Sequence, residues 1–178
     1  MLTRRHFIAT SSALFSAAAI LPASGAAAAS QSDWSEWDAQ VTPIGYDPAT
    51  TNPWGLEPRF LPVRVEARPG LEPGSIHVDA VARFLYHIEP GGTAMRYGVA
   101  IARGDLYIPG IYTIRRKAKW PSWTPTQNMI RRDPDIYAQH AGGVKPGPEN
   151  PLGSRALYLY RGSRDSYLRI HGTPEPGT

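Results

Sequence analysis

The residues best suited to chemistry in this sequence are Ile170-His171-Gly172-Thr173. An imidazole at the end of a strand, followed by a residue with no side chain, can be oriented by backbone carbonyls and still be reached by a substrate. That is how a general base is mounted. The competing reading is a surface histidine that closes an ordinary hairpin, and spacing alone does not separate the two. Two short runs rich in Leu, Tyr and Ile, Ala156 to Tyr160 and Tyr167 to Ile170, flank the polar stretch Arg161 to Ser166 and predict the hairpin that carries His171.

Other chemistries are excluded by composition. The 178 residues contain no cysteine, so the chain has neither a disulfide nor a thiol nucleophile of its own. His77, His87 and His140 are far apart, with no His-Glu-x-x-His, and read as ordinary surface or half-buried residues; no metal and no cofactor are expected. Gly91-Gly92 lacks the lysine and helix start of a phosphate loop. Arg115-Arg116-Lys117-Ala118-Lys119-Trp120 is the one concentrated basic run. It is expected to be a solvated strand end, or a surface drawn to anionic cell-wall carboxylates, and no nucleic acid partner is expected.

The elements that must position the histidine come next. With 42% hydrophobic residues the chain can bury the core of one domain, and 18 prolines with 17 glycines favour short strands and turns over long helices. Residues 1–29 are set aside as an export signal. Arg4-Arg5 precedes Phe7-Ile8, an uncharged alanine-rich run and the small residues Ala26 to Ala29, an order that resembles the twin-arginine signature. A membrane anchor would need about 20 strongly apolar residues in a row, whereas Thr10, Ser11, Ser12, Ser16, Pro22 and Ser24 dilute this run. The membrane is therefore expected to be met only transiently, during export. Losing Arg4 and Arg5 leaves 17 basic against 15 acidic residues, a charge too small for a strong nucleic-acid field.

Residues 30–61 hold Trp34, Trp37 and Trp54 among Pro43, Pro48, Pro53 and Pro58, and predict an extended arm whose tryptophans pack on the domain. From residue 62 to 178 the pattern is compact and mainly β. Strands are expected over Ser75–Asp79, Ala82–Ile88, Met95–Ala102 and Ile111–Ile114, with a turn at Glu89-Pro90-Gly91-Gly92. Thr124 to His140 is the only plausible helical region, broken by Pro125 and Pro134.

Taken in order over roughly residues 74 to 178, these motifs resemble the exported L,D-transpeptidase family with the YkuD-type catalytic domain. The resemblance rests on Ser75-Ile76-His77-Val78-Asp79 with Phe84-Leu85-Tyr86, on Arg96 to Ile101, and on Pro109-Gly110-Ile111-Tyr112-Thr113-Ile114. It continues through Trp120 to Pro125 with Met129-Ile130, Gly142-Gly143 leading to Asn150 through Tyr158, and Ile170-His171-Gly172-Thr173. It implies a β-sandwich-like catalytic fold with one short helical region. It also implies acyl transfer between peptidoglycan stem peptides through a cysteine thioester, in the periplasm; the leader with Arg4-Arg5 adds the twin-arginine export machinery as a second expected partner. By the same resemblance His171 is the base, the carbonyl of Gly172 orients its ring, and Asn150, Pro151, Leu152, Gly153 and Thr173 shape the substrate cleft.

The chain departs from the family pattern at one point. The resemblance puts the nucleophile in a Ser-x-Gly-Cys segment roughly sixteen residues after the histidine, with the oxyanion hole in its backbone amides, and this sequence has seven residues after His171. The expectation is a domain incomplete at its C-terminus, inactive as it stands. A non-catalytic periplasmic peptidoglycan-binding module is the alternative.

Overall fold

The structure, a computed structural model, describes residues 31–42, 45–47 and 50–177. The proposed export signal, with Arg4 and Arg5, lies outside them. The described chain folds into two antiparallel sheets and a few short helices, in agreement with the mainly β expectation. Helix α1 (Gln31–Val41) comes first, followed by β1 (Val63–Glu66), β2 (Ile76–Asp79), β3 (Phe84–Glu89) and β4 (Thr93–Gly98), which form one sheet in the order β1-β4-β3-β2. Strands β5 (Thr113–Lys119), β6 (Arg155–Arg161) and β7 (Arg164–His171) form the second, in sequence order. Helices α2 (Gln127–Arg132) and α3 (Pro134–Tyr137) lie between β5 and β6, and no helix among the described residues is long and apolar enough to cross a membrane.

Local chemistry fixes the turns of the first sheet. The carboxylate of Asp79 accepts from the backbone N–H groups of Val81 and Ala82 at 3.0 and 2.9 Å, an Asx turn that reverses β2 into β3. Gly91 and Gly92, both left-handed, join β3 to β4. Leu85, Ile88 and Ala94 are the buried side chains of this sheet; Trp120, Leu152, Ala156 and Tyr158 are those of the second sheet and its loops. Ile88 pairs with Ala94 across β3 and β4, so a large residue fills the space a small one leaves.

The segment expected to be an extended arm begins instead with a helix. No proline falls between Gln31 and Val41, and the first one after it in the sequence is Pro43, so the proline density that argues against helix applies only further on. The helix docks through Trp37, whose ring meets that of Trp120 edge-on at 5.3 Å. Three strand boundaries also differ from expectation. Strand β4 ends at Gly98 because its partner β3 begins opposite, at Phe84. Strand β5 starts at Thr113 and runs through the whole basic stretch, so Arg115, Arg116 and Lys117 are mid-strand residues and only Lys119 stands at the strand end. The hairpin turn is reduced to Gly162-Ser163, with Arg161 pairing Arg164.

Candidate active site

His171 ends β7 opposite the fully buried Ala156 of β6. Pairing continues one residue further, since the Gly172 N–H donates to the carbonyl of Arg155 at 3.0 Å, and the strand end is therefore held rather than frayed. The imidazole is exposed and its Nδ1 lies 2.6 Å from the carbonyl oxygen of Gly172. A carbonyl oxygen can only accept, so Nδ1 carries a proton, and in the neutral ring the lone pair is on Nε2. Among the described residues Nε2 has no hydrogen-bond partner.

The loop before β6 closes on this strand end. Asn150 is 1% exposed and acts as the hub: its Nδ2 donates to the carbonyls of Val144 and Lys145, and its Oδ1 accepts from the Leu152 N–H at 2.9 Å. Its own carbonyl takes the N–H of Gly153 at 2.8 Å. Gly153 has φ +61° and lies directly against the backbone of Gly172 and Thr173, a left-handed residue at a place without room for a side chain. On the other side the Trp120 N–H donates to the Ser154 carbonyl at 2.8 Å, tying the loop to the end of β5. Val144 also pairs with Trp123, whose ring lies beside those of Tyr137 and His140, so Asn150 connects the histidine loop to the helical region.

Of the predicted site residues, the structure brings together His171, Gly172, Gly153 and, through the loop, Asn150 and Leu152. Asn150, Leu152 and Gly153 are buried, so they build the loop from within, whereas Pro151 and Thr173 are exposed beside it. Thr173 also accepts the N–H of Glu175 at 3.0 Å. The open depression lined by Arg64, Gly74, His87, Glu89 and Thr93 lies on the four-stranded sheet and contains none of these residues.

Two features near the site were not anticipated from the sequence. Asp38 of α1 binds the Arg155 guanidinium with both oxygens, at 3.0 and 2.9 Å, and accepts from the Trp120 indole at 3.1 Å. The hydrogen bond from Arg155 holds the Asp38 carboxyl below its usual value, and burial opposes it. The second is a row across the sheet: Arg116, Tyr158 and Arg169 are register partners on β5, β6 and β7, with guanidinium carbons 4.3 and 4.1 Å from the tyrosine centroid. Arg169 is also held by both oxygens of Asp165 at 2.7 and 2.8 Å, which lowers that carboxyl as well. Alternation was the available signal, since Arg116 and Ala118, Tyr158 and Ala156, and Arg169 and His171 are each two residues apart.

Comparison with known proteins places the chain in a family. Residues 73–178 match the L,D-transpeptidase catalytic domain of the YkuD family. A Fuscovulum blasticum protein described as "Putative L,D-transpeptidase in ATP synthase subunits region ORF 5" is 45% identical over 69 residues, covering 39% of this chain and 32% of that protein. The protein described as "Probable L,D-transpeptidase ErfK/SrfK" of Escherichia coli (strain K12) is 30% identical over 96 residues, covering 53% of this chain and 29% of that protein. The chain thus spans about a third of the length of these two relatives. A crystal structure from Brucella melitensis, described as a probable carnitine operon oxidoreductase caia, superposes with a TM-score of 0.59 at 46% identity, covering 71% of this chain and 78% of that one. With the family match covering more than half of its residues, the chain belongs to the YkuD family of L,D-transpeptidase catalytic domains.

Proposed function

We propose that this chain supplies the histidine side of an L,D-transpeptidase active site that acts on peptidoglycan stem peptides in the cell envelope, after export through the twin-arginine route directed by residues 1–29. One observation carries the reading: the proton on Nδ1 of His171 is committed to the Gly172 carbonyl, which leaves Nε2 as an exposed base at a braced strand end. In acyl transfer by this family the base takes the thiol proton, the thiolate attacks the stem-peptide carbonyl to form a thioester, and the base returns the proton to the departing D-alanine amine; free again, it deprotonates the amine that takes the acyl group and displaces the thiolate. These 178 residues contain no cysteine, so thioester chemistry needs a thiol from outside this sequence. The same fact favours a second reading for the 178 residues alone, a peptidoglycan-binding module without turnover.

The test joins the chain to a continuation carrying Ser-x-Gly-Cys and measures exchange of D-alanine on a tetrapeptide stem. Exchange is expected, and His171→Ala in the extended protein should abolish it. An active His171→Ala protein, or an extended protein that folds and stays inactive, would overturn the role given to His171. Affinity for muropeptides in the chain as it stands, without exchange in any extended form, would select the binding module.

A further inference from the structure

The row formed by Arg116, Tyr158 and Arg169 lies on the same face of the sheet as the row formed by Ala118, Ala156 and His171, two residues further along each strand. Its two guanidinium groups are in different situations. Arg169 is satisfied by the paired oxygens of Asp165 and by the Leu168 carbonyl. Arg116 is exposed, and among the described residues it makes no hydrogen bond or ion pair; its guanidinium lies over the face of Tyr158, close enough to Asp165 for its charge to help lower that carboxyl. Tyr158 is only 7% exposed and is clamped from the other side by Arg169, so it is a fixed platform for the Arg116 side chain. A guanidinium already held in place, with its donors unused, loses little freedom on taking a planar anion.

We infer that Arg116 receives a carboxylate of the peptide whose carbonyl is presented to His171, with Tyr158, Arg169 and Asp165 as its mount. The inference rests on the reading of His171 given above and adds a point of substrate selection to it. Strand spacing and rise place the Arg116 guanidinium, which leans over the central strand, roughly 8–12 Å from the imidazole. That is the reach of one or two residues of extended peptide, at about 3.3–3.6 Å each, plus an acidic side chain. A carboxylate matches the fork of donors in two parallel hydrogen bonds; Asp165, although it feels the Arg116 charge, gives both oxygens to Arg169 and leaves the donors of Arg116 unbonded.

The test uses the chain as it is and two tetrapeptides ending in D-alanine, identical except for glutamate or glutamine at the second position, titrated at low ionic strength with His171 followed by NMR. The glutamate peptide should bind about threefold to tenfold more tightly, the range for a partly exposed bidentate pair. Arg116→Gln should remove the difference, and Arg116→Lys, which keeps the charge and the fold but not the fork, should remove most of it. Lys117→Gln, the same charge loss on the opposite face, should leave it unchanged. Equal binding of the two peptides, or an equal loss in Lys117→Gln, would overturn the inference. If Arg116→Gln keeps the glutamate preference while the His171 signals still shift with peptide, the inference fails and the catalytic reading stands. If the preference depends on Arg116 but the His171 signals never move, Arg116 remains a carboxylate site and the catalytic reading fails.

Discussion

Gly153 meets Gly172 backbone to backbone: a Cβ built on Gly153 would lie 2.7 Å from the carbonyl carbon of Gly172 and 2.6 Å from the nitrogen of Thr173. These are main-chain atoms and cannot swing aside. Gly153→Ala therefore carries two penalties, the left-handed conformation at about 1–2 kcal/mol and a forced displacement of the segment that orients His171. Gly162→Ala has the first penalty alone, since φ is +58° and nothing lies within 4 Å. Urea melts should show the Gly153 variant losing more stability than the Gly162 variant, and only the former should shift the His171 ring resonances. Equal losses would mean that the close approach is not a constraint.

Removing the Asn150 side chain leaves two backbone groups without a partner, the carbonyl of Lys145 and the N–H of Leu152, while the Val144 carbonyl keeps the N–H of Trp123. Each buried group left unsatisfied costs about 1–3 kcal/mol, less where water reaches it. Asn150→Ala is expected to cost about 2–4 kcal/mol. Asn150→Asp keeps the acceptor for Leu152 but turns a donor into a second acceptor facing two carbonyls, so it should not rescue stability. Chemical denaturation of the two variants checks both statements; a stable aspartate variant would remove the donor role.

The Asp38–Arg155 pair gives a pH dependence with a fixed sign. Because the hydrogen bond from Arg155 lowers the folded-state pKa of Asp38, the pair contributes stability above the ordinary value of 3.8, and that contribution is lost as pH falls through the lowered folded value. Asp165, lowered by Arg169, behaves in the same way. Asp38→Asn should lower the melting temperature near neutral pH, and the gap to the unmodified protein should close below about pH 4. A gap that persists into acid would show that the loss comes from packing rather than from the charge.

Export is tested at Arg4 and Arg5. Replacing both with lysine preserves charge but removes the paired guanidinium groups that a twin-arginine receptor reads. The precursor should then accumulate in the cytoplasm. Unchanged periplasmic yield in fractionation would assign the leader to the general secretory route.

Much of the fold could be read from the sequence because its signals are local. The β2–β3–β4 meander follows from alternation and from Gly91-Gly92, the interrupted helices from Pro125 and Pro134, and the β6–β7 hairpin from its two Leu/Tyr-rich runs. What escaped is non-local. Nothing in Gln31–Val41 announces that Asp38 will meet Arg155 across 117 positions, and the helix itself was hidden by prolines that begin only after it. At the candidate site, type and order single out His171 and Gly172 as a pair whose contact the structure shows, whereas the burial of Asn150 could not be read, because asparagine in a Pro-Gly loop usually faces water. Arg116 read as one cation in a basic run until strand pairing set it beside Tyr158.

The tight β6–β7 hairpin also sets an order of assembly. Arg161 and Arg164 pair across two residues, a contact of very low sequence separation of the kind that forms within microseconds, whereas Lys119 must find Arg155 across the whole helical region. The strand that bears His171 is thus in place early in folding, while its orientation waits for the slower closure of the Asn150 loop over Gly172.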